Sequence, residues 1–252
     1  MHRFFVDRRS LSDNTVRISG EDSRHICRVL RLHEGDMIRL CDGEGMDYEG
    51  VIEKIYENSV VVAVKRSFPS SSEPQTKVVL YQAVPKGTKM DIIIQKCVEL
   101  GVYRIVPVIT ARTIVKLESE KDANKKTARW QRIAREAARQ SRRGIIPQVS
   151  VPLAFDNAIQ SCSDMFRILP WENERKLGIK ECLETGKFHR DIAIMIGPEG
   201  GWDEDEILHA KKQGWNTVSL GPRILRTETV GIALLAAIMF YSGEMDVRKI
   251  EN

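Results

Sequence analysis

The stretch Ile192-Ala193-Ile194-Met195-Ile196-Gly197-Pro198-Glu199-Gly200-Gly201, with Asp203-Glu204-Asp205-Glu206 close behind, decides the fold class of this chain. Its first half is an apolar run of strand length. Asp203 to Gln213 reads as a helix, with acids in its first turn, Lys211 and Lys212 in its last, and Gly214 just beyond. Between the two, glycine permits close backbone approach or a positive φ, and proline fixes the adjoining turn. The design recurs at Leu220-Gly221-Pro222-Arg223-Ile224-Leu225-Arg226, after the strand Thr217 to Leu220 and before a core helix over Thr227 to Tyr241. Ligands of open α/β sheets bind beyond the carboxyl ends of strands, where both segments fall. One Gly-Pro turn needs no ligand to explain it. Two at neighbouring strand ends, one carrying three glycines, point to a ligand site.

Toward the N-terminus the alternation continues. Lys77 to Val84 is strand-like, Met90 to Leu100 is an amphipathic helix stopped by Gly101, Arg104 to Ile109 is an apolar strand, Lys125 to Arg142 is a long basic helix, and Met165 to Leu169 is another strand. Residues 73–252 therefore predict an α/β domain with a mostly parallel sheet covered by helices. The seam is Phe68-Pro69-Ser70-Ser71-Ser72-Glu73-Pro74, a Pro/Ser run without periodicity. Residues 1–72 follow a different grammar. Met37 to Cys41 and Tyr48 to Ile55 alternate, Ser59 to Val64 is β-branched, and only Glu21 to Leu32 looks helical, through Ile26, Val29, Leu30 and Leu32. Short strands need closure or cover, which predicts a small β-barrel.

Composition bounds the function classes. The 252 residues carry 39 Lys+Arg against 35 Asp+Glu, with 42% hydrophobic and 29% charged, which argues against a disordered, fibrous or membrane-spanning chain. The longest apolar run, Val230 to Tyr241, falls short of the roughly 20 residues that span a bilayer. No apolar leader follows Met1, so a cytoplasmic location and no membrane partner are expected. The five cysteines include no C-x-x-C pair and the five histidines no H-x-x-x-H, so neither disulfide staples nor a metal site is expected. No G-x-G-x-x-G follows a strand and no Walker loop is present. The acids Asp203 to Glu206 would repel a phosphate at that helix start, so a neutral or cationic cofactor suits the first loop better than a polyphosphate.

The pair I-G-P-E-G-G and L-G-P-R-I-L-R-T-E-T closely resembles the family of ribosomal small-subunit RNA uridine-N3 methyltransferases, within the SPOUT class. Further blocks match in order: His25 with Arg28-Val29-Leu30-Arg31, Ile94 to Gly101, Gln140 to Arg143 with Pro147, and Leu169-Pro170-Trp171-Glu172. The resemblance implies a PUA-like RNA-binding barrel over 1–72 and a SPOUT α/β-knot domain over 73–252. The second domain would hold a C-terminal trefoil knot, bind S-adenosylmethionine and form a homodimer. Cofactor contacts would come from Leu169, Pro170 and Trp171, from Ile196, Gly197, Pro198, Glu199, Gly200 and Gly201, and from Leu220, Gly221, Pro222, Ile224 and Leu225. The implied substrate is 16S rRNA or the small ribosomal subunit. Arg139, where relatives often carry Glu, and Val230-Gly231 after Thr229 depart from the family pattern.

The chemistry points to particular side chains. Uracil N3 carries a proton at neutral pH, so its methylation needs a base or a site that favours the anion. Glu199 reads either as that base or as a cap on the following helix, Glu228 as an anchor of the last helix, and Arg226 as a cation for charge developing on a uracil oxygen. For RNA, residues 112–143 hold 11 Lys+Arg against 4 Asp+Glu, with arginines at 129, 132, 135, 139, 142 and 143 forming a stripe beside Trp130. Candidate RNA contacts are Arg112, Arg132, Arg135 and Arg143 there, and Arg24, His25, Arg28 and Arg31 in the barrel. A solvated face is the alternative for the stripe, and a structural role the alternative for His25. Two rival readings of the whole chain are a non-catalytic RNA-binding protein and a SPOUT enzyme acting on another nucleotide.

Overall fold

The structure is a computed structural model and describes residues 2–12, 14–115, 119–185 and 189–246. The chain forms two compact units, one of Met1–Glu73 with Ala138–Ile146, the other of Pro74–Ala137 with Pro147–Asn252.

The first unit is a six-stranded curled sheet. Its strands are β1 (Arg3–Phe5), β2 (Leu11–Ser12), β3 (Thr15–Ser19), β4 (Met37–Cys41), β5 (Met46–Tyr56) and β6 (Ser59–Pro69), in the order β1-β4-β5-β6-β3-β2. Only β1 and β4 run parallel. Alternating residues such as Val16, Ile18, Val60 and Val62 point inward with Phe4, Ile38 and Leu40. The curl comes from register shifts in β5 at Glu49/Gly50 and Ile52/Lys54. Position 50 must be glycine, because a Cβ there would sit 2.5 Å from Val62 Cγ1 and 2.9 Å from the Ala63 carbonyl oxygen. The expected barrel is not closed by hydrogen bonds, since β1 and β2 at the ends of the order do not pair among the described residues.

Between β3 and β4 the expected helix over Glu21 to Leu32 is shorter and wider. The α-helix α1 covers Glu21–Arg24 and gives way to a π-helical turn at His25–Val29, closed by the Leu30 amide on the His25 carbonyl at 2.9 Å. The wider turn sends Ile26 into the core and leaves Val29 68% exposed, so Val29 is not the core position its spacing suggested. The returning segment Ala138–Ile146 is tied to this unit by Glu73. Its carboxylate pairs with Arg143 at 2.6 Å and accepts the amides of Gly144 and Ile145 at 2.7 and 3.0 Å.

The second unit alternates strands and helices: β7 (Lys77–Ala83), α2 (Lys89–Glu99), β8 (Arg104–Ile109), α3 (Glu120–Gln140), β9 (Gln148–Val149), β10 (Leu153–Ala154), α4 (Phe155–Gln160), β11 (Phe166–Pro170), α5 (Ile179–Thr185), β12 (Asp191–Ile196), α6 (Glu204–Lys212), β13 (Asn216–Val218) and α7 (Thr227–Tyr241). The last turn of α3, from Ala138, belongs to the first unit. All pairings in this sheet are parallel, in the order β10-β8-β7-β12-β11-β13 with β9 also on β8. β7 and β12 are buried beyond their first residues, as strands covered on both faces must be. Because β12 inserts between β7 and β11, the order reverses there, and such a switch point opens a crevice at the carboxyl ends.

Val218 and Ser219 run between the two ends of loop 171–178. The Trp171 amide donates to the Val218 carbonyl at 3.0 Å, the Ser219 amide to Leu177 at 2.9 Å, and the Ile179 amide to Ser219 at 3.1 Å. The end of β13 is thus paired on both sides, by β11 and by Gly178, which fixes both ends of loop 171–178 at the crevice. All five cysteines are free, and burial pushes the Cys97 thiol up to about 12, so it stays protonated and inert.

Candidate active site

A cavity of about 1150 Å³ opens beyond the carboxyl ends of β11, β12 and β13. Three loops build it, 170–178, 196–202 and 218–226, with the first turn of α7 and Lys89 from α2. Of the residues expected to touch a cofactor, Pro170, Trp171, Ile196, Gly197, Pro198, Glu199, Gly201, Leu220, Gly221, Pro222, Ile224 and Leu225 line it, and Arg226 lines it too. Leu169 and Gly200 do not. Leu169 is fully buried in the core beside Met195 and Trp202, and the Gly200 carbonyl is held by Arg112 at 3.1 Å. The lining also includes Lys89, the polar run 172–178, Trp202, Ser219, Thr227 and Glu228. Glu172 ended a matched sequence block, but a polar loop without periodicity and a lone lysine on an amphipathic helix carry no local signal.

The first loop takes its shape from Trp202. The indole Nε1 donates to the Pro170 carbonyl at 3.0 Å, and the ring packs 5.8 Å from Phe155. A Cβ on Gly197 would meet that ring at 3.0 Å, so glycine is the residue that fits. Thr227 Oγ1 donates to the Gly197 carbonyl at 2.6 Å and accepts from Gln82 Nε2 at 3.0 Å, which joins the loop to β7 and α7. The acids expected to repel phosphate are largely committed to the helix. Asp203 caps α6 and forms a capping box with Glu206, whose other oxygen accepts the Ala111 amide at 2.8 Å.

Loop 171–178 is folded by Glu174. This buried carboxylate accepts from Thr217 Oγ1 at 2.6 Å and from the amides of Arg175 and Lys176 at 3.0 and 2.8 Å. The Thr217 hydrogen bond, helped by the backbone amides and against the cost of burial, holds its pKa at about 2. Its folded value lies below the unfolded one. The stabilisation is therefore complete above about pH 4.5 and is lost as pH falls toward 2. Glu174→Gln should lower unfolding stability by roughly 2–3 kcal/mol at pH 7. Urea titrations of mutant and wild type should converge as the pH is lowered through that window. A constant difference would mean that the carboxylate charge contributes nothing.

At the α2 side, Glu199 accepts from Lys89 Nζ at 2.8 Å and from the Lys86 amide at 3.1 Å. Burial alone would raise its pKa, but hydrogen bonds from Lys89 and from backbone amides bring it below the ordinary value. The Glu199 hydrogen bond in turn raises Lys89. Glu199 is therefore not the cap of α6, a position taken by Asp203, and it is a committed, weakly basic carboxylate. Glu228 Oε2 lies 3.8 Å from the same ammonium and makes no hydrogen bond to cap α7. Arg226 is the N-cap residue of α7, with extended backbone, an exposed side chain and no ion pair among the described residues.

The expected RNA contacts divide. Arg143 is 3% exposed and locked to Glu73, so its role is internal, and the expectation of RNA contact fails there because the guanidinium is enclosed. Arg112 bonds the Gly200 carbonyl and Asp203 within its own chain, which makes it a clamp on loop 196–202. His25 packs edge-on to Phe4 at 6.1 Å. In the stripe, Arg129 pairs with Asp91 and Arg139 with Asp22, and Trp130 is buried. Arg132 and Arg135 remain exposed without an ion pair among the described residues, as do Arg24, Arg28 and Arg31 in the first unit. Among the described residues no cluster of His, Cys, Asp or Glu could hold a metal, and no helix is long and apolar enough to cross a membrane.

Residues 71–239 match the family model of an RNA methyltransferase domain, and residues 18–65 that of an RNA methyltransferase PUA domain. The chain belongs to this RNA methyltransferase family. Among relatives, ribosomal RNA small subunit methyltransferase E of Bacillus subtilis is 35% identical over 251 residues, covering 95% of this chain and 96% of the relative. The crystal structure of the corresponding Neisseria gonorrhoeae enzyme, bound to S-adenosylmethionine, is 33% identical. It matches with a TM-score of 0.82 over 95% of this chain and 97% of that one. A Legionella pneumophila methyltransferase with bound S-adenosylmethionine is 29% identical, with a TM-score of 0.75 over 94% of this chain and 96% of that one. For this RNA methyltransferase family member, the cavity suits such a cofactor. Glycines 197, 201 and 221 admit close backbone approach, Ile196, Leu220 and Leu225 supply apolar wall, and acids rather than phosphate-binding cations dominate the α2 side.

Proposed function

We propose that this protein uses S-adenosylmethionine to methylate N3 of a uridine in 16S rRNA of the small ribosomal subunit, and works in the cytoplasm as a homodimer. The cavity carries the reading: it is assembled from the three loops expected of a cofactor site, in a chain similar along its length to a cofactor-bound relative. The loops 170–178, 196–202 and 218–226 hold the cofactor, which supplies an electrophilic methyl group. Methyl transfer is an in-line displacement, so the principal task of these residues is orientation. Arg226 stabilises charge that develops on a uracil oxygen. Uracil N3 lies on the pairing edge, so the target base must be unpaired or turned out of its stack. Arg24, Arg28 and Arg31 in the first unit, with Arg132 and Arg135 on α3, hold RNA phosphates. Ile92 on α2 and Phe240 on α7, 50% and 74% exposed, support pairing of two chains through this apolar surface.

The test is to incubate the protein with small subunits that lack the modification and with methyl-labelled S-adenosylmethionine, then digest the RNA to nucleosides. One N3-methyluridine per subunit is expected. Label on a different nucleoside would move the assignment to another target, and RNA binding without transfer would favour the non-catalytic reading.

A further inference from the structure

Four carboxylates line the cavity, and they are not equivalent. Glu174 is saturated by Thr217 and backbone amides, Glu199 is held by Lys89 and the Lys86 amide, and Glu172 is exposed on its loop. Glu228 differs from all three. Its Oε2 is buried yet accepts no hydrogen bond, and the nearest cation, Lys89, stands at 3.8 Å with its short contact given to Glu199. A buried carboxylate oxygen without a donor is costly, and such groups persist where a function needs them.

On the reading that the cavity methylates uridine, we infer that Glu228 is the catalytic base, taking the N3 proton of the target uracil. The pairing edge of uracil presents acceptor, donor, acceptor. Glu228 offers an acceptor, and Lys89 and Arg226, which line the same cavity, offer donors for the two flanking oxygens. As the N3–H bond breaks, its proton passes to a Glu228 carboxylate oxygen and the N3 pair bonds the methyl carbon. The carbon–sulfur pair stays on sulfur, leaving a neutral thioether, and the proton then leaves to water. Cytosine, with an unprotonated N3 and an amino group beside it, mismatches this arrangement. The charged groups that act on the Lys89 ammonium are Glu199 on the loop after β12, and Glu228 and Arg226 at the start of α7.

The experiment compares wild type with Glu228→Gln in single-turnover methylation of unmodified small subunits at saturating cofactor. The rate should fall by about 10²–10⁴, the usual contribution of a positioned base. S-adenosylmethionine affinity by calorimetry should stay within about threefold, because only the uracil side of the site changes. The mutant rate should climb roughly tenfold per pH unit between 7 and 9, as N3 ionises unaided, while the wild-type rate stays nearly flat. A second readout needs no turnover. With S-adenosylhomocysteine present, wild type should bind subunits carrying the target uridine about tenfold more tightly than subunits with cytidine there, and Glu228→Gln should lose that preference. A mutant within threefold of the wild-type rate, or a wild type that binds the two subunits equally, overturns the inference and leaves the cofactor reading intact. Wild type that makes no N3-methyluridine overturns the functional reading and this inference with it.

Discussion

Gly197→Val should abolish S-adenosylmethionine binding in a protein that still folds. The first added carbon already meets Trp202 at 3.0–3.3 Å, and the indole cannot retreat. Its N–H is held by the Pro170 carbonyl, its ring leans on Phe155, and it is 7% exposed. The two γ-carbons of valine would therefore displace the loop rather than the ring. Displacing it also drags the carbonyl that Thr227 holds at 2.6 Å, so the α7 start shifts with it. Calorimetry should show a loss of at least about 100-fold in affinity, because the loop is a wall of the cavity. Gly197→Ala should give a graded loss of about tenfold, since one carbon at this distance calls for a few tenths of an ångström of movement. Unchanged affinity in the valine variant would remove loop 196–202 from the cofactor site.

Arg226→Ala should separate catalysis from binding. The guanidinium is exposed and has no ion pair among the described residues, and the residue's backbone at φ −70°, ψ 151° is open to alanine. Little structure depends on the side chain, so cofactor affinity should change by less than about threefold. Loss of a cation aimed at developing charge should lower the single-turnover rate by about 10²–10³. Arg226→Lys should recover part of it, because the charge returns without the planar fork. An equal rate in the alanine variant would assign the arginine to RNA binding alone.

Much of this architecture was legible in the sequence because its strongest elements are local. α7 spans Thr227–Tyr241 as read, β8 spans Arg104–Ile109 as read, and the helix read from Asp203 begins one residue later, with Asp203 as its cap. The elements not legible were short or non-periodic. α4 and α5 have six and seven residues, too few to establish a period, and β9 and β10 have two each. The π-helical turn after α1 was read as an ordinary helix because one widened turn shifts the register of Val29 while keeping its apolar neighbours.

Within the site, glycine and proline announced two loops, whereas the third depends on Glu174 meeting Thr217, 43 positions away. The Lys89, Glu199 and Glu228 cluster likewise joins three distant segments. Arginines showed the reverse failure. Arg143, Arg129 and Arg139 look alike in a basic stripe, and only folding reveals that each has a carboxylate waiting.

The return of Ala138–Ile146 to the first unit has a consequence for biosynthesis. A ribosome releases the first 73 residues long before the segment that completes their unit. Until then Glu73 lacks its Arg143 and amide partners, and the Cys41 thiol lacks the Gly144 carbonyl it meets at 3.3 Å. The nascent sheet has its own apolar core, all from residues 4–64, but lacks these partners while residues 74–137 are made. The N-terminal unit is thus not a detachable cassette: a gene cut at the Pro/Ser seam would yield a fragment without the segment that satisfies Glu73 and Cys41.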